Sequence, residues 1–301
     1  MPSPQSEAIR VLYRAMGDEL AANPDMTLEQ TRDLFEHWGD LTADPGGVDY
    51  VEFEAAGVRC MWAIPHGCAD DRVIVCAHGG GYICNSIYSH RKMYGHLAKA
   101  AGVRALLVDY RRAPEHPHPA PMEDAVAVYG WLLDNGYRPE HIATAGDSSG
   151  GGLSIAMILA ARDQGLPLPA AAMPLSPRVD LEAIGESMVT NVDTDLLASP
   201  QVVEDMTNTY LGDAPRTDPW ASPLYADLTG LPPMYLQTGG DEMLRDDAVM
   251  FAEKARTAGV EVRLEVWEGM QHVHQMMAGR APEADESIRR MAEWVRPKLG
   301  L

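Results

Sequence analysis

His141-Ile-Ala-Thr-Ala-Gly-Asp-Ser-Ser-Gly150 opens as a short strand-like run and closes on a G-x-S-x-G pattern, and Leu153 to Arg162 beyond it is apolar and helix-forming. That order is strand, tight turn, helix. A serine on such a turn has its hydroxyl pushed out of the backbone bend, which makes Ser148 a candidate nucleophile. Gly146 and Gly150 supply the room that a β-carbon would fill. The pattern alone is common; its place between a strand and a helix gives it meaning.

A second glycine-rich turn follows another strand-like run. Arg72-Val-Ile-Val-Cys-Ala77 leads into His78-Gly-Gly-Gly-Tyr82. Consecutive glycines after a strand leave backbone N–H groups bare, and such donors stabilise the charge on a carbonyl oxygen during acyl transfer. By itself the run reads better as a flexible turn. Paired with the Ser148 turn it reads as an oxyanion hole, the combination used by serine esterases.

A serine hydroxyl also needs a base, and the base an orienting acid. In α/β-hydrolases the chain order is serine, acid, histidine. After Ser148 the only histidines are His272 and His274. His272 closes Glu268-Gly-Met-Gln-His272, just past the strand-like Glu261-Val-Arg-Leu-Glu-Val-Trp267, and is favoured over its neighbour. The acid is expected beyond the strand Met234-Tyr-Leu-Gln-Thr238, where Asp241 and Glu242 are adjacent.

With these motifs in place the chain resembles the bacterial hormone-sensitive-lipase-like family of α/β-hydrolase carboxylesterases. His78-Gly-Gly-Gly-Tyr82, Asp109-Tyr-Arg-Arg-Ala-Pro-Glu-His-Pro117 and Gly146-Asp-Ser-Ser-Gly-Gly151 match its patterns, the last two against D-Y-R-L-A-P-E and G-D-S-A-G-G. Leu175-Ser-Pro-Arg-Val-Asp-Leu181, Asp241-Glu-Met-Leu-Arg-Asp246 and Gly269-Met-Gln-His272 follow in family order. The chain departs from the pattern at Arg112, Ser149 and Arg178, where leucine, alanine and tryptophan are usual. Arg112 is read as peripheral, Ser149 keeps its backbone N–H, and Arg178 is expected to change the polarity of the pocket. The branch it resembles includes small-ester and monoterpene-lactone hydrolases.

The resemblance implies a cofactor-independent serine ester hydrolase. Ser148 is the nucleophile, His272 the base, and the N–H groups of Gly80, Gly81 and Ser149 the oxyanion hole. The family's acid lies two residues before a leucine, as in D-P-L-x-D; Leu244 and Asp246 fix that register on Glu242, with Asp241 the alternative. An amide or formamide hydrolase using the same triad is the rival enzyme reading. A small-molecule receptor on this fold is disfavoured because His272 and an acid are retained.

Composition agrees. At 301 residues and 46% hydrophobic content the chain suits one large globular unit. No apolar run is long enough for a membrane span. Met1-Pro-Ser-Pro-Gln-Ser-Glu7 has no basic segment followed by an apolar one, so a cytoplasmic location is expected. The net charge of −20 argues against nucleic acid as a partner and leans toward small neutral esters or lactones; a homodimer is compatible with it. Cys60, Cys68, Cys76 and Cys84 fit no zinc pattern, and disulfides are not expected. Cys60 and Cys76 read as buried strand residues, and Cys84 as a candidate pocket residue. Neither His116 nor His118 suggests a metal, and the seventeen methionines read as core filler.

Along the chain, Ile9, Leu12, Tyr13 and Met16 recur at helical spacing, and Thr27-Leu-Glu-Gln30 is a capping box for a helix continuing to Leu34, Phe35 and Trp38. Asp44-Pro-Gly-Gly47 breaks the chain. Residues 48–54 and 58–64 read as an antiparallel pair. Further strands are expected near 73–77, 103–108, 141–146, 171–175, 234–238 and 261–267, mostly alternating with helices. That gives an α/β-hydrolase fold, about eight mostly parallel strands with helices on both faces. Residues 1–45 are expected to form an N-terminal cap segment and 46–301 the catalytic domain, with 180–225 contributing to the cap.

Overall fold

The structure, a computed structural model, describes residues 2–23 and 25–301. Its centre is one eight-stranded sheet in the order β1-β2-β4-β3-β5-β6-β7-β8. The strands are β1 (Val48–Ala55), β2 (Val58–Pro65), β3 (Ala69–Ala77), β4 (Val103–Val108), β5 (Ile142–Asp147), β6 (Ala171–Leu175), β7 (Met234–Gly239) and β8 (Val262–Trp267). Only β2 runs against its neighbours. All the strands expected from the sequence are present, within a few residues of their expected ends. The largest difference is at β3, which starts at Ala69 through an irregular pairing with Val103; its first residues are polar and half-exposed and carry no apolar signal.

Central strands must be apolar on both faces because helices cover both. Accordingly β5, β6 and β7 are buried at every position, whereas β8, at the sheet edge, is only half-buried. Helices α3 (Ile87–Ala101) and α9 (Pro282–Lys298) pack on one face. Helices α4 (Ala120–Asp134), α5 (Ser149–Asp163) and α8 (Arg245–Thr257) pack on the other. Because β3 to β8 are parallel, their carboxyl ends all open on the same edge, where α/β sheets hold ligands.

Two segments lie over that edge. The first holds α1 (Glu7–Ala22) and α2 (Leu28–Glu36), followed by a 3₁₀ turn through Trp38. The Thr27–Gln30 capping box forms as expected, and Ile9, Tyr13 and Met16 are the buried face of α1. The second holds the single turn α6 (Ser187–Thr190) and α7 (Pro200–Leu211). Helix α7 begins at Ser199, whose hydroxyl accepts the Val202 N–H. Among the described residues no helix is long and apolar enough to cross a membrane.

Candidate active site

Ser148 sits between the last residue of β5 and the first of α5 at φ 56°, ψ −124°, a conformation that side-chain-bearing residues rarely adopt and that stores roughly 1–3 kcal/mol. Its neighbours hold it there. The Ser148 N–H donates to the Leu175 carbonyl (2.9 Å), and its own carbonyl accepts from Gly152 (3.1 Å) and Arg178 (2.9 Å). The two glycines of the pattern are required by contact. A Cβ on Gly146 would lie 2.9 Å from the Gly151 nitrogen, and one on Gly150 would run into the carbonyls of Ala77 and His78. The serine is left half-buried at the mouth of the turn.

The loop after β3 faces it. His78 stacks on Tyr110, ring centroids 4.2 Å apart, and its Nδ1 lies 2.7 Å from the Gly79 carbonyl. Burial pushes the His78 imidazole down to about 3, so it is neutral and donates that bond. In a trans peptide the N–H points opposite the carbonyl, so fixing the Gly79 carbonyl also aims the Gly80 N–H. The same argument serves Gly81: the Gly80 carbonyl accepts from Ile83 (3.0 Å) and Cys84 (2.9 Å). Neither glycine N–H donates to a backbone carbonyl among the described residues, and both glycines line the pocket with Ser148 and Ser149. The Ser149 hydroxyl accepts from the Tyr82 N–H (3.2 Å), tying this loop to the serine turn, a bond the family's alanine could not make.

Behind Ser148, Asp147 is fully buried against His90 Nε2 (3.0 Å) and the Tyr94 hydroxyl (2.7 Å). Burial alone would raise its pKa; the His90 and Tyr94 partners outweigh this and hold it below the usual carboxylate range.

His272 comes from the loop after β8 and Glu242 from the loop after β7. His272 Nδ1 is hydrogen-bonded to Glu242 Oε2. The other oxygen, Oε1, accepts from the Ser176 hydroxyl (2.8 Å), the Gly239 N–H (2.5 Å) and the Thr238 hydroxyl. Ser176 in turn accepts from the Val273 N–H (3.2 Å), so one hydroxyl braces both loops. Burial would raise Glu242, but His272, Thr238 and Ser176 together keep it ionised. For His272 burial works downward, and the Glu242 and Asp195 charges carry it above the ordinary histidine value.

Asp241 points elsewhere. Its carboxylate pairs with Arg10 of α1 (2.5 Å), and Arg10 also donates to the Gly269 carbonyl (2.8 Å). His274 is buried against Trp267 with neither ring nitrogen hydrogen-bonded, and burial takes its pKa down to about 4. Cys84, expected as a pocket residue, is not one. Its side chain is buried in the core with Ile83 and Ile87. Arg112, read as peripheral, donates to the Asn85 carbonyl (2.5 Å).

The pocket in front of Ser148 and His272 holds about 730 Å³ of empty space, its open mouth included. Phe35 and Trp38 wall it from the N-terminal segment, and Leu197, Val203 and Met206 from the 180–225 segment. The N-terminal segment is pinned to the histidine loop. The Tyr13 hydroxyl donates to the His272 carbonyl (2.8 Å), and Trp38 lies 6.3 Å from the His272 ring. Asp195 and Arg178 also line it. Asp195, which the sequence did not single out, accepts N–H bonds from Met243 (2.8 Å), Leu197 (3.0 Å) and Ala198 (3.0 Å). Burial raises its pKa against these bonds and the nearby His272. The Asp195 signal was unreadable because it is one of many aspartates in an acidic segment; Ser176 stood inside a motif but without an assigned task.

The sequence profile of a family described as alpha/beta hydrolase fold matches residues 74–276. An acetyl-hydrolase of Streptomyces hygroscopicus is 39% identical over 88% of this chain and 87% of its own length. An esterase of Acinetobacter venetianus is 36% identical over 72% of each. Among solved structures, an esterase from the bacterial hormone-sensitive lipase family superposes with a TM-score of 0.95 at 43% identity, covering all of both chains.

Proposed function

The chain belongs to the α/β-hydrolase-fold family, with the bacterial hormone-sensitive-lipase esterases, and on that premise we propose that it is a serine carboxylic-ester hydrolase working through an acyl-enzyme on short- to medium-chain esters or lactones. The observation that carries the reading is the pairing of a strained Ser148 turn with a Glu242-bonded His272 on one pocket.

In this reading Ser148 Oγ attacks the carbonyl carbon while its proton passes to His272. Glu242 keeps the Nδ1–H of His272 engaged, so the other ring nitrogen carries the lone pair, and it stabilises the imidazolium that forms. The developing oxyanion is held by the N–H groups of Gly80, Gly81 and Ser149; losing one such donor costs about 10²–10³ in rate. The imidazolium returns its proton to the leaving alkoxide, which departs as the alcohol. Water then attacks the acyl-enzyme, gives its proton to His272, and Ser148 recovers it as the acid leaves. Residues 1–45 and 180–225 act as the cap, because their apolar side chains wall the pocket and exclude water.

Ser148→Ala tests this directly. The variant loses only an alcohol, so it should stay folded, fall by several orders of magnitude on 4-nitrophenyl butyrate, and no longer react with a fluorophosphonate. Near-native turnover in the folded variant would remove Ser148 from the reaction. Matched ester and amide substrates separate esterase from amidase.

A further inference from the structure

Arg178 is the one buried arginine among the described residues, 7% exposed, and it lines the same pocket as Ser148 and His272. A guanidinium cannot shed its charge, so burying it is costly unless a carboxylate or several acceptors meet it. Here the protein supplies little. Among the described residues Arg178 has no ion-pair partner; its side chain reaches only the Thr207 hydroxyl (3.4 Å) and the Met188 sulfur (4.0 Å), both weak.

None of the acidic groups around it forms an ion pair with it among the described residues. Asp180 accepts from the Glu182 and Ile184 N–H groups and the Tyr225 hydroxyl. Asp247 accepts from the Val179 and Asp180 N–H groups through Oδ2 while its Oδ1 makes no hydrogen bond among the described residues, and burial pushes its carboxyl up to about 7 against the downward pull of the Arg178 charge. Glu204 pairs with Arg216, and Asp195 is taken by three backbone N–H groups beside His272. Leu181, Val203 and Met206 line the same pocket, and none of them accepts a hydrogen bond from Arg178. What remains is a fixed positive charge with no direct ion-pair partner among the described residues, on the largely apolar pocket that also holds Ser148.

We propose that Arg178 is a specificity-determining residue that binds a carboxylate carried by the substrate, so that the site selects anionic esters: half-esters of dicarboxylic acids, or acyl esters of hydroxy acids. This rests on the ester hydrolysis proposed above and departs from the leaning toward neutral substrates drawn from net charge. A guanidinium matches a carboxylate with two parallel N–H donors, and a charge-assisted pair in a dry site is stronger than a neutral hydrogen bond.

Two substrate pairs locate the carboxylate. 4-Nitrophenyl hydrogen glutarate against 4-nitrophenyl butyrate places it on the acyl side; 4-acetoxybenzoate against its methyl ester places it on the alcohol side. The quantity read is the anionic-to-neutral ratio of kcat/KM. In Arg178→Met that ratio should fall about 10–100-fold for one of the two pairs, chiefly through KM, and Arg178→Lys should restore most of it. An unchanged ratio in both pairs would overturn the proposal. Should Arg178→Met not fold, the unaltered protein gives the answer: glutarate should inhibit butyrate-ester hydrolysis competitively at least about 10-fold more tightly than glutaramide, and equal inhibition would overturn the proposal. Failure of the esterase reading is seen separately, as absence of Ser148-dependent turnover on the neutral esters.

Discussion

Glu242 and Asp241 are neighbours in sequence, yet one meets His272 and the other meets Arg10. A single step along the loop turns the side chain to another side, and the surrounding donors make the difference energetic. Oε1 of Glu242 finds Ser176, Gly239 and Thr238, donors that would be left unpaired around a neutral acid. Glu242→Gln should therefore lower kcat by roughly 10⁴, the scale seen when a triad acid is replaced by its amide, while Asp241→Asn stays close to native. The pH profile adds a second reading. In the proposed mechanism His272 must be neutral to take the serine proton, and its pKa is raised by the Glu242 and Asp195 charges against burial. Activity should thus be lost as pH falls through a value above the ordinary histidine pKa of about 6.5, and in Glu242→Gln the acid limb should move to lower pH. A limb that stays put in the variant would separate Glu242 from the titrating base. The Glu242 register was legible in sequence through Leu244 and Asp246; of the three donors that reward it, Thr238 and Gly239 end the preceding strand and Ser176 comes from a distant loop.

At the scale of elements, the N-terminal segment matters to the site as much as the sheet does. Trp38 is 1% exposed and packs on Tyr13, Phe35, His90 and His272, so it joins that segment to the serine and histidine turns at once. Trp38→Ala should cost about 3–5 kcal/mol in denaturant unfolding, the range for truncating a buried aromatic, and should lower kcat with it because the His272 loop loses its backing. A variant of native stability would mean the segment only rests on the surface. The strands were readable because apolar runs bounded by glycine and proline have few alternatives. Ala56 and Gly57, both at positive φ, close the β1–β2 hairpin between Ala55 and Val58, at the join of the antiparallel pair expected from the sequence. The proposed cap was less legible. Helix α7 lies in an Asp-, Pro- and Ser-rich stretch that the sequence assigned to a cap without fixing its helix, and which of its side chains face the pocket depends on packing against the sheet edge, which local pattern does not encode. Cys84 shows the same limit: proximity to the glycine turn suggested the pocket, but the side chain turns into the core.

Over the whole molecule two features shape what reaches Ser148. The pocket is walled by Phe35, Trp38 and Leu197 rather than opening as a flat apolar face, which fits a small ester better than a lipid surface. Rates across 4-nitrophenyl esters should therefore decline beyond about eight acyl carbons, and faster turnover of emulsified long-chain triglyceride than of butyrate ester would contradict the capped pocket. The second feature is charge. A net −20 repels an incoming anion over a distance set by ionic strength, whereas a buried guanidinium such as Arg178 acts only on what has already entered and is little screened. The two fields can be separated by salt. Raising sodium chloride from about 20 mM to about 200 mM shortens the screening length several-fold, weakens the outer repulsion and leaves the inner contact nearly untouched. For 4-nitrophenyl hydrogen glutarate kcat/KM should rise over that range, while for the neutral butyrate ester it should stay flat. A fall with salt would mean that the pocket mouth is positive and steers anions inward despite the acidic surface, and it would transfer part of the selectivity from Arg178 to the approach.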